Sequence, residues 1–352
     1  MMHTPMKFRC GKVSKNRFIL APMTNQQSQE DGTLSAEESH WLHMRAQGGF
    51  GVVITCAAFV STGGIGFKGQ MGVVPKLTAV PHLELNERIH ERGALSLVQL
   101  YHGGNRVDLS RIEGDALSPM GDISKGVKPA TTAQIHRLRE RFVEGAVLAQ
   151  QWGYDGVQLH AAHGYLLCDF ISSTNQRADE YGGSLENRTR LLLELVRLVR
   201  ERCGESFVIS VRLSLERFGI DTDEIVEVAK RLLNTEMVDL LDWSLWDVQK
   251  MVKGRSLLQI VLELEYGSTQ VSVAGRVMSA QMVQAVLNCG VDAVAIGRGA
   301  ILHHDFPRLC VDQDFHCRPL PVSVDTLRDE GLSMPFIDYM RRWDNFVESP
   351  TD

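Results

Sequence analysis

The chain has 352 residues, of which 44% are hydrophobic and 23% are charged, as is usual for a globular protein with a large buried core. A net charge of −6 without any basic run argues against a nucleic-acid surface, and no stretch approaches the roughly 20 apolar residues that cross a bilayer. The seven cysteines include no Cys-x-x-Cys pair, so we expect no metal cluster, and scattered reduced thiols fit a cytoplasmic location.

Eight short apolar runs recur along the chain and alternate with segments of helical periodicity. Strands that are apolar on both faces are typical of a parallel sheet covered by helices on both sides. Eight such units in one chain favour a closed (β/α)8 TIM barrel over an open doubly wound sheet. The predicted strands are residues 17–21, 51–55, 94–100, 156–159, 207–213, 238–243, 270–274 and 292–296.

Two helices and two irregular regions complete the predicted organisation. One long helix begins after Ser184 as N-cap and ends before Gly204, and another covers residues 132–152. The span 103–129, rich in Gly, Ser and Pro, predicts an excursion after the third strand that forms a lid or pocket wall. Residues 1–310 would then form one barrel domain. Residues 311–352 would form a C-terminal extension, with a helix in 333–346, that packs on the barrel or on a neighbouring subunit.

The fourth predicted strand ends in a cluster of polar aromatic residues. His160, His163 and Tyr165 follow one another at the strand's carboxyl end, which is where barrel enzymes place their chemistry. A single histidine is more often structural than catalytic, and a tyrosine here is also explained by packing against Phe170. The three together carry more weight than any one of them, and they mark this strand end as a candidate site of chemistry.

Other strand ends carry groups that suit a phosphorylated heterocycle. Gln99 on the third strand offers a donor and an acceptor to a pyrimidine-like edge, and Arg212 on the fifth suits a group that becomes negative. Barrels commonly bind phosphate after strands seven and eight, and there the chain has Gly275-Arg276 and Gly297-Arg298. Each position alone is explained equally well as a satisfied polar residue of the rim. The combination indicates flavin mononucleotide (FMN).

Five segments together resemble one known family, the old yellow enzymes, which are flavin-dependent NAD(P)H oxidoreductases and ene-reductases. The likeness extends from Asn16 to about Pro307, and the Tyr-Gly-Gly segment within residues 175–188 is particularly specific. The segments are Asn-Arg-Phe-Ile-Leu-Ala-Pro-Met-Thr at 16–24, Val-Gln-Leu-Tyr-His-Gly-Gly at 98–104, His-Ala-Ala-His-Gly-Tyr-Leu-Leu at 160–167, Asn-Gln-Arg-Ala-Asp-Glu-Tyr-Gly-Gly-Ser-Leu-Glu-Asn-Arg at 175–188 and Ala-Ile-Gly-Arg at 295–298.

The resemblance implies an FMN at the carboxyl end of a TIM barrel and assigns a role to each matching residue. His160 and His163 would bind the activating oxygen of the substrate, and Tyr165 would be the proton donor. The residues implied to hold FMN are Pro22, Met23 and Thr24 along the ring, Ala57 at the same edge, Gln99 at the pyrimidine edge, Arg212 near N1 and O2, and Gly275, Arg276, Gly297 and Arg298 at the phosphate.

The resemblance also implies the reaction. NADH or NADPH would reduce the flavin, and hydride would pass from N5 to the β-carbon of an electron-poor alkene activated by a carbonyl or nitro group. Tyr165 would protonate the α-carbon. A dehydrogenase, demethylase or specialised biosynthetic oxidoreductase on the same barrel is the alternative, and an inert flavin-binding module is a third. The physiological alkene, the choice of nicotinamide and the formation of a homo-oligomer stay open.

Some positions depart from the family's commonest pattern. Thr24 stands where one subgroup has cysteine, and Gln26 stands where that subgroup tends to place a tyrosine. Tyr101 is a candidate substrate-pocket wall or a simple packing residue. In one subgroup an arginine of the tail reaches a neighbouring active site. Arg341 and Arg342 are candidates for that role here, against the alternative of a solvated charge pair.

Overall fold

The computed structural model, which describes residues 1–252 and 254–349, contains a closed barrel of eight parallel strands. Each strand pairs with its sequence neighbours, and the eighth closes on the first, with Val294 opposite Phe18 and Ile296 opposite Leu20. The predicted (β/α)8 barrel is therefore confirmed. Its strands are β1 Phe18–Leu20, β2 Val52–Phe59, β3 Leu95–Tyr101, β4 Gly156–Ala161, β5 Val208–Ser214, β6 Leu240–Ser244, β7 Gln270–Ala274 and β8 Ala293–Ile296.

Helices alternate with these strands around the outside of the barrel, and their boundaries follow local capping chemistry. The Ser184 hydroxyl accepts a hydrogen bond from the Asn187 backbone N–H at 3.3 Å, and Gly204 ends the same helix with a φ of +79°. The helices are α1 Ala36–Gln47, α2 Val80–His90, α3 Thr132–Gln151, α4 Leu166–Ile171, α5 Leu185–Cys203, α6 Thr222–Leu233, α7 Leu257–Leu262, α8 Ala280–Asn288, α9 Arg298–Leu302, α10 Phe306–Leu309, α11 Val324–Asp329 and α12 Met334–Met340.

Short elements occupy the connections. Single-turn 3₁₀ helices cover Thr62–Gly64, Gly104–Arg106 and Ile123–Lys125. Two-residue strands pair as Met6–Lys7 with Val13–Ser14, Leu117–Ser118 with Lys128–Pro129, and Met251–Val252 with Arg255–Ser256. The predicted excursion after β3 therefore contains two helical turns and a small paired ribbon. Within residues 1–252 and 254–349, no helix is long and apolar enough to span a membrane.

The barrel interior changes from apolar to polar along its axis. At the amino ends of the strands, side chains such as Val52, Leu97 and Val208 are fully buried. Met6 and Phe8, from the pair of short strands Met6–Lys7 and Val13–Ser14 and the turn between them, close this end. This apolar plug excludes water from below. The polar side chains of the interior consequently lie towards the carboxyl ends of the strands, where the candidate site is.

The C-terminal extension packs against the barrel of its own chain. Phe336 of α12 meets Trp41 of α1 edge to face at 5.4 Å, and the Gln27 side-chain oxygen accepts hydrogen bonds from the backbone N–H and hydroxyl of Ser333. The helix is shorter than the predicted 333–346, because the chain turns after Met340 and returns to pair with Val322. The boundary proposed at residue 310 stays a prediction.

Candidate active site

A cavity of about 540 Å³ opens at the carboxyl end of the barrel, a size typical of small-molecule sites. Its wall comes from the loops that follow every barrel strand except β2, together with α12 and the turn after it. The predicted residues that line it are Pro22, Met23, Thr24, His163, Tyr165, Arg212, Gly275, Arg276, Gly297 and Arg298. Four others, Ala57, Gln99, Tyr101 and His160, are buried and are not among the lining residues.

The two histidines and the tyrosine after β4 form one cluster. The ring centroids of His160 and His163 lie 5.1 Å apart, and those of His160 and Tyr165 lie 5.0 Å apart. His163 has a φ of +64°, a left-handed conformation that turns the chain back over the barrel mouth. Its Nε2 lies 2.8 Å from the Ser244 hydroxyl at the end of β6, and its backbone N–H donates to Ser214. Contacts from three strands thus hold the cluster in place.

Burial keeps all three members of this cluster uncharged at neutral pH. It lowers the pKa of His163 to about 3, with nearby Arg212 and Arg106 adding to the effect, and it lowers the pKa of His160 well below the ordinary value. Burial raises the pKa of Tyr165, against the opposing influence of Arg106. Both imidazoles are therefore neutral, so each carries one N–H group, and the phenol retains its proton.

Behind the cavity, a layer of polar side chains crosses the barrel interior. Gln99 donates to Gln158 at 2.8 Å, and Gln158 donates in turn to Asp242 at 3.1 Å. Asp242 also accepts a hydrogen bond from Ser272 and forms an ion pair with Arg212. All five side chains are buried, so the network fixes the orientation of the Arg212 guanidinium at the cavity floor.

Positive charge gathers at the side of the cavity formed by the ends of β7 and β8. Arg298 forms no ion pair with the described chain, and burial and the neighbouring Arg276 lower its pKa. Its guanidinium carbon lies 5.6 Å from the Trp343 ring centroid, whereas Arg276 approaches Asp247 at 3.4 Å. Gly275 lies so close to the backbone of Asp247 and Val248 that a Cβ atom would come within 2.8 Å of the Val248 nitrogen and 3.0 Å of the Asp247 nitrogen. Such a glycine–arginine cradle suits a phosphate.

Comparison with known proteins identifies the chain. The family model described as the NADH:flavin oxidoreductase / NADH oxidase family matches residues 1–311. The chain belongs to this family, the old yellow enzymes. A solved structure of the old yellow enzyme homologue from Zymomonas mobilis superposes with a TM-score of 0.80 and is 26% identical in sequence. The match covers 93% of this chain and 96% of that one.

Curated relatives agree with this assignment. The chain is 30% identical over 336 residues to NADH oxidase of Thermoanaerobacter brockii, covering 88% of this chain and 51% of that protein. It is 31% identical over 311 residues to "Probable NADH-dependent flavin oxidoreductase YqiG" of Bacillus subtilis, covering 84% and 83%. Cinnamate reductase of Clostridium sporogenes is 30% identical over 348 residues, covering 87% and 52%. The chain thus spans about half the length of two of these three relatives.

The predicted cofactor is confirmed by family membership: this old yellow enzyme uses FMN with NADH or NADPH. Its own residues fit that group. Arg212 leaves its buried Nε without a hydrogen-bond partner among the described residues, and so does the Nδ1 of His160. Arg298 lines the same cavity and forms no ion pair within the described residues. The unpartnered Arg212 nitrogen and the Arg298 cation suit the polar edge of a flavin ring and its phosphate, which these residues would hold.

Two sets of site residues in this old yellow enzyme cannot be found by looking only at the polar residues that end each predicted strand. Gln158 and Asp242 lie within strands, and the signal that reveals them is a polar residue inside an apolar run, at positions that share a face with His160 and Ser244. The second set, on the tail and loops, leaves no local signal. Tyr339 and Trp343 line the cavity, and Tyr339 lies against the Thr24 hydroxyl.

The sequence left two questions open: whether Tyr101 is a pocket wall or a packing residue, and whether Arg341 and Arg342 reach a neighbouring site or form a solvated charge pair. The Tyr101 ring meets the Tyr165 ring edge to face at 4.5 Å and is almost fully buried, which favours packing over a role as pocket wall. Arg341 approaches Asp338 of its own helix at 3.4 Å, and Arg342 lies over the Tyr339 ring. Both arginines are exposed to solvent, which agrees with the alternative of a solvated charge pair. Their reach into a neighbouring site stays a prediction.

Proposed function

We propose that this old yellow enzyme reduces the C=C bond of alkenes that are activated by a carbonyl or nitro group. The observation that carries the proposal is the neutral cluster of His160, His163 and Tyr165 beside the cavity. Hydrogen-bond donors beside a protonated phenol suit a reaction in which oxygen gains negative charge and a neighbouring carbon gains a proton.

Each member of the cluster would contribute a distinct step. The N–H groups of His160 and His163 would bind the activating oxygen and stabilise the enolate or nitronate charge that develops there. Because both imidazoles are neutral, they would polarise this oxygen without protonating it. Tyr165 would give its proton to the α-carbon as a general acid. The contacts of His163 with Ser214 and Ser244 keep the donor in position.

The remaining residues of the site would hold the cofactor. FMN, when bound, supplies the two-electron chemistry for which NADH or NADPH is the reductant. The polar layer through Gln99 and Arg212 would hold the pyrimidine edge, and Pro22, Met23, Thr24 and Ala57 would contact the ring. The two Gly-Arg pairs at 275–276 and 297–298 would bind the phosphate.

The names of relatives favour alkene reduction over the alternatives. Cinnamate reductase is named for an unsaturated acid, and the matching structure from Zymomonas mobilis is an old yellow enzyme homologue. The dehydrogenase or demethylase alternative has no specific observation in its favour. An inert flavin-binding module would have no need of a buried tyrosine and two histidines held beside the cavity.

Separate measurement of the two half-reactions tests the proposal. Anaerobic mixing with NADPH, and separately with NADH, should bleach the flavin, and cyclohexenone should then restore its colour. We expect Tyr165→Phe to slow the second step by about 100-fold or more while flavin reduction continues, because only the second step needs the phenolic proton.

Tyr154→Phe is the matched control, since its hydroxyl contacts His82 in the outer layer and does not line the cavity. Equal slowing of both half-reactions by Tyr165→Phe would count against the proton-donor role. Bleaching that no activated alkene reverses would count against the proposed function itself.

A further inference from the structure

The cavity wall holds more positive charge than the proposed cofactor would neutralise. Its lining includes five arginines and no aspartate or glutamate. Arg212 already pairs with Asp242, and the phosphate of FMN would face Arg276 and Arg298. Two lining arginines are left over after these assignments, Arg106 and Arg217.

Arg106 stands beside the proton donor. It belongs to the helical turn Gly104–Arg106, which approaches α4 so closely that a Cβ atom on Gly104 would meet the Leu166 backbone at 2.9 Å. The Arg106 guanidinium donates to the backbone oxygen of His163 at 2.6 Å, and its central carbon lies 5.3 Å from the Tyr165 ring centroid. Within the described chain, no carboxylate forms an ion pair with it.

Arg217 reaches the same corner from the loop after β5. Arg217 and Phe218 have φ values of +69° and +53°, and two consecutive left-handed residues other than glycine are the kind of strain that collects at functional sites. The Phe218 ring is close to both guanidinium groups: its centroid lies 5.8 Å from the central carbon of Arg106 and 5.5 Å from that of Arg217.

The nearby carboxylates have other hydrogen-bond or ion-pair partners. Burial raises the pKa of Asp169 to about 7, against the opposing influence of Asn105 and nearby Arg106, and this carboxyl accepts a hydrogen bond from the Asn105 side chain at 3.0 Å. Both oxygens of Glu216 accept hydrogen bonds from Lys250, at 2.7 and 2.6 Å, and Asp247 approaches Arg276. Arg217 instead faces the Trp246 ring at 5.0 Å, an aromatic contact that leaves its N–H donors available. The two guanidinium groups approach the same ring, line the cavity, and have no carboxylate partner within the described residues, so they form a corner suited to an anion.

We propose that Arg106 and Arg217 bind a carboxylate of the substrate, so that the alkene reduced here carries a carboxylate besides the carbonyl that His160 and His163 polarise. This inference rests on the proposed alkene reduction. The planar guanidinium fork matches a carboxylate in bidentate geometry. The position of Arg106 beside Tyr165 places the anion close to the reacting alkene.

A matched pair of substrates isolates the charge. Benzoylacrylic acid has a ketone at one end of its alkene and an ionised carboxylate at the other, and its methyl ester carries no charge there, so the change of the acid-to-ester ratio between variants is the informative quantity. With enzyme reduced beforehand by dithionite, we expect the second-order rate constant for flavin reoxidation by the acid to exceed that by the ester. Arg106→Gln and Arg217→Asn should each lower this preference by about tenfold or more.

Two further variants separate charge from structure. Arg106→Lys retains the cation and should restore part of the preference, whereas mere loosening of His163 would lower acid and ester equally. Arg111→Gln removes an arginine from the same excursion outside the cavity, where it pairs with Asp108, and should keep the wild-type preference. An unchanged acid-to-ester ratio in both Arg106→Gln and Arg217→Asn would overturn the proposal.

Two further outcomes of these experiments are informative: binding of the coenzyme at the corner instead of a substrate, and failure of the alkene proposal itself. If the corner instead binds the pyrophosphate of the nicotinamide coenzyme, the variants will raise the Kd for NADH in flavin reduction and leave the ratio intact. If neither alkene is reduced, the alkene proposal fails. Titration of the flavin spectrum with para-hydroxybenzoate and para-hydroxybenzamide then still tests the corner, because only the acid should lose affinity in the variants.

Discussion

Asp242 is the residue through which the interior polar layer should control both stability and cofactor binding. It is fully buried, forms the ion pair with Arg212, and accepts hydrogen bonds from Gln158 and Ser272. Asp242→Asn preserves its shape but leaves the Arg212 charge without a counterion. Breaking a buried pair in this way costs about 3–5 kcal/mol of unfolding free energy.

The same substitution should weaken FMN binding, because Arg212 would lose the partner that orients it toward the ring. A hydrogen bond to a charged group is worth about 1.5–3 kcal/mol, so we expect the Kd for FMN to rise roughly 10- to 100-fold. Urea denaturation of the apoprotein measures the first effect. Quenching of FMN fluorescence on titration with apoprotein measures the second.

Asp239→Asn provides the matched control. Asp239 is equally buried and pairs with Arg200 at 2.6 Å, but it lies at the amino end of β6 and also accepts hydrogen bonds from the backbone N–H groups of Ile209 and Cys10. It should lose similar stability and keep its FMN affinity. If Asp242→Asn also kept the wild-type Kd, the polar layer would have no part in presenting Arg212 to the flavin.

Three further predictions concern the histidine cluster and the tail. His160→Ala should weaken binding of phenols, measured from the absorbance change of the oxidised flavin, by about tenfold or more; unchanged phenol affinity would contradict its role as donor. Because the folded-state pKa of His163 lies near 3 and the unfolded value near 6.5, the unfolded chain binds the extra proton first as pH falls. Unfolding free energy should therefore drop below pH 6.5 by up to about 1.4 kcal/mol for each pH unit from this group, and the urea profile of His163→Gln should be flatter by that amount. Gln27→Ala removes the acceptor of two hydrogen bonds from Ser333, so it should cost about 1–2 kcal/mol and speed amide hydrogen exchange in α12; exchange at the wild-type rate would show that other contacts anchor the tail.

Local sequence patterns suffice to predict the barrel and the residues on its strand ends. Each apolar run is long enough only for a buried strand, and the caps at Ser184 and Gly204 act within a few residues of the helix ends that they define. Period-two alternation brings Gln158 and His160 to one face of β4, and Asp242 and Ser244 to one face of β6, so even the polar layer leaves a trace in the sequence.

The cavity wall is decided by contacts between segments that are far apart in the chain. Arg106 and Arg217 both approach the Phe218 ring only because the excursion after β3 packs against α4. Tyr339 reaches Thr24 only because the tail folds back onto α1 and the loop after β1. No short-range periodicity encodes such contacts, since their formation depends on the closed barrel that brings all eight loops to one end. The sequence by itself therefore determined the scaffold and its chemistry, and only the tertiary structure decided which loop and tail side chains face the substrate.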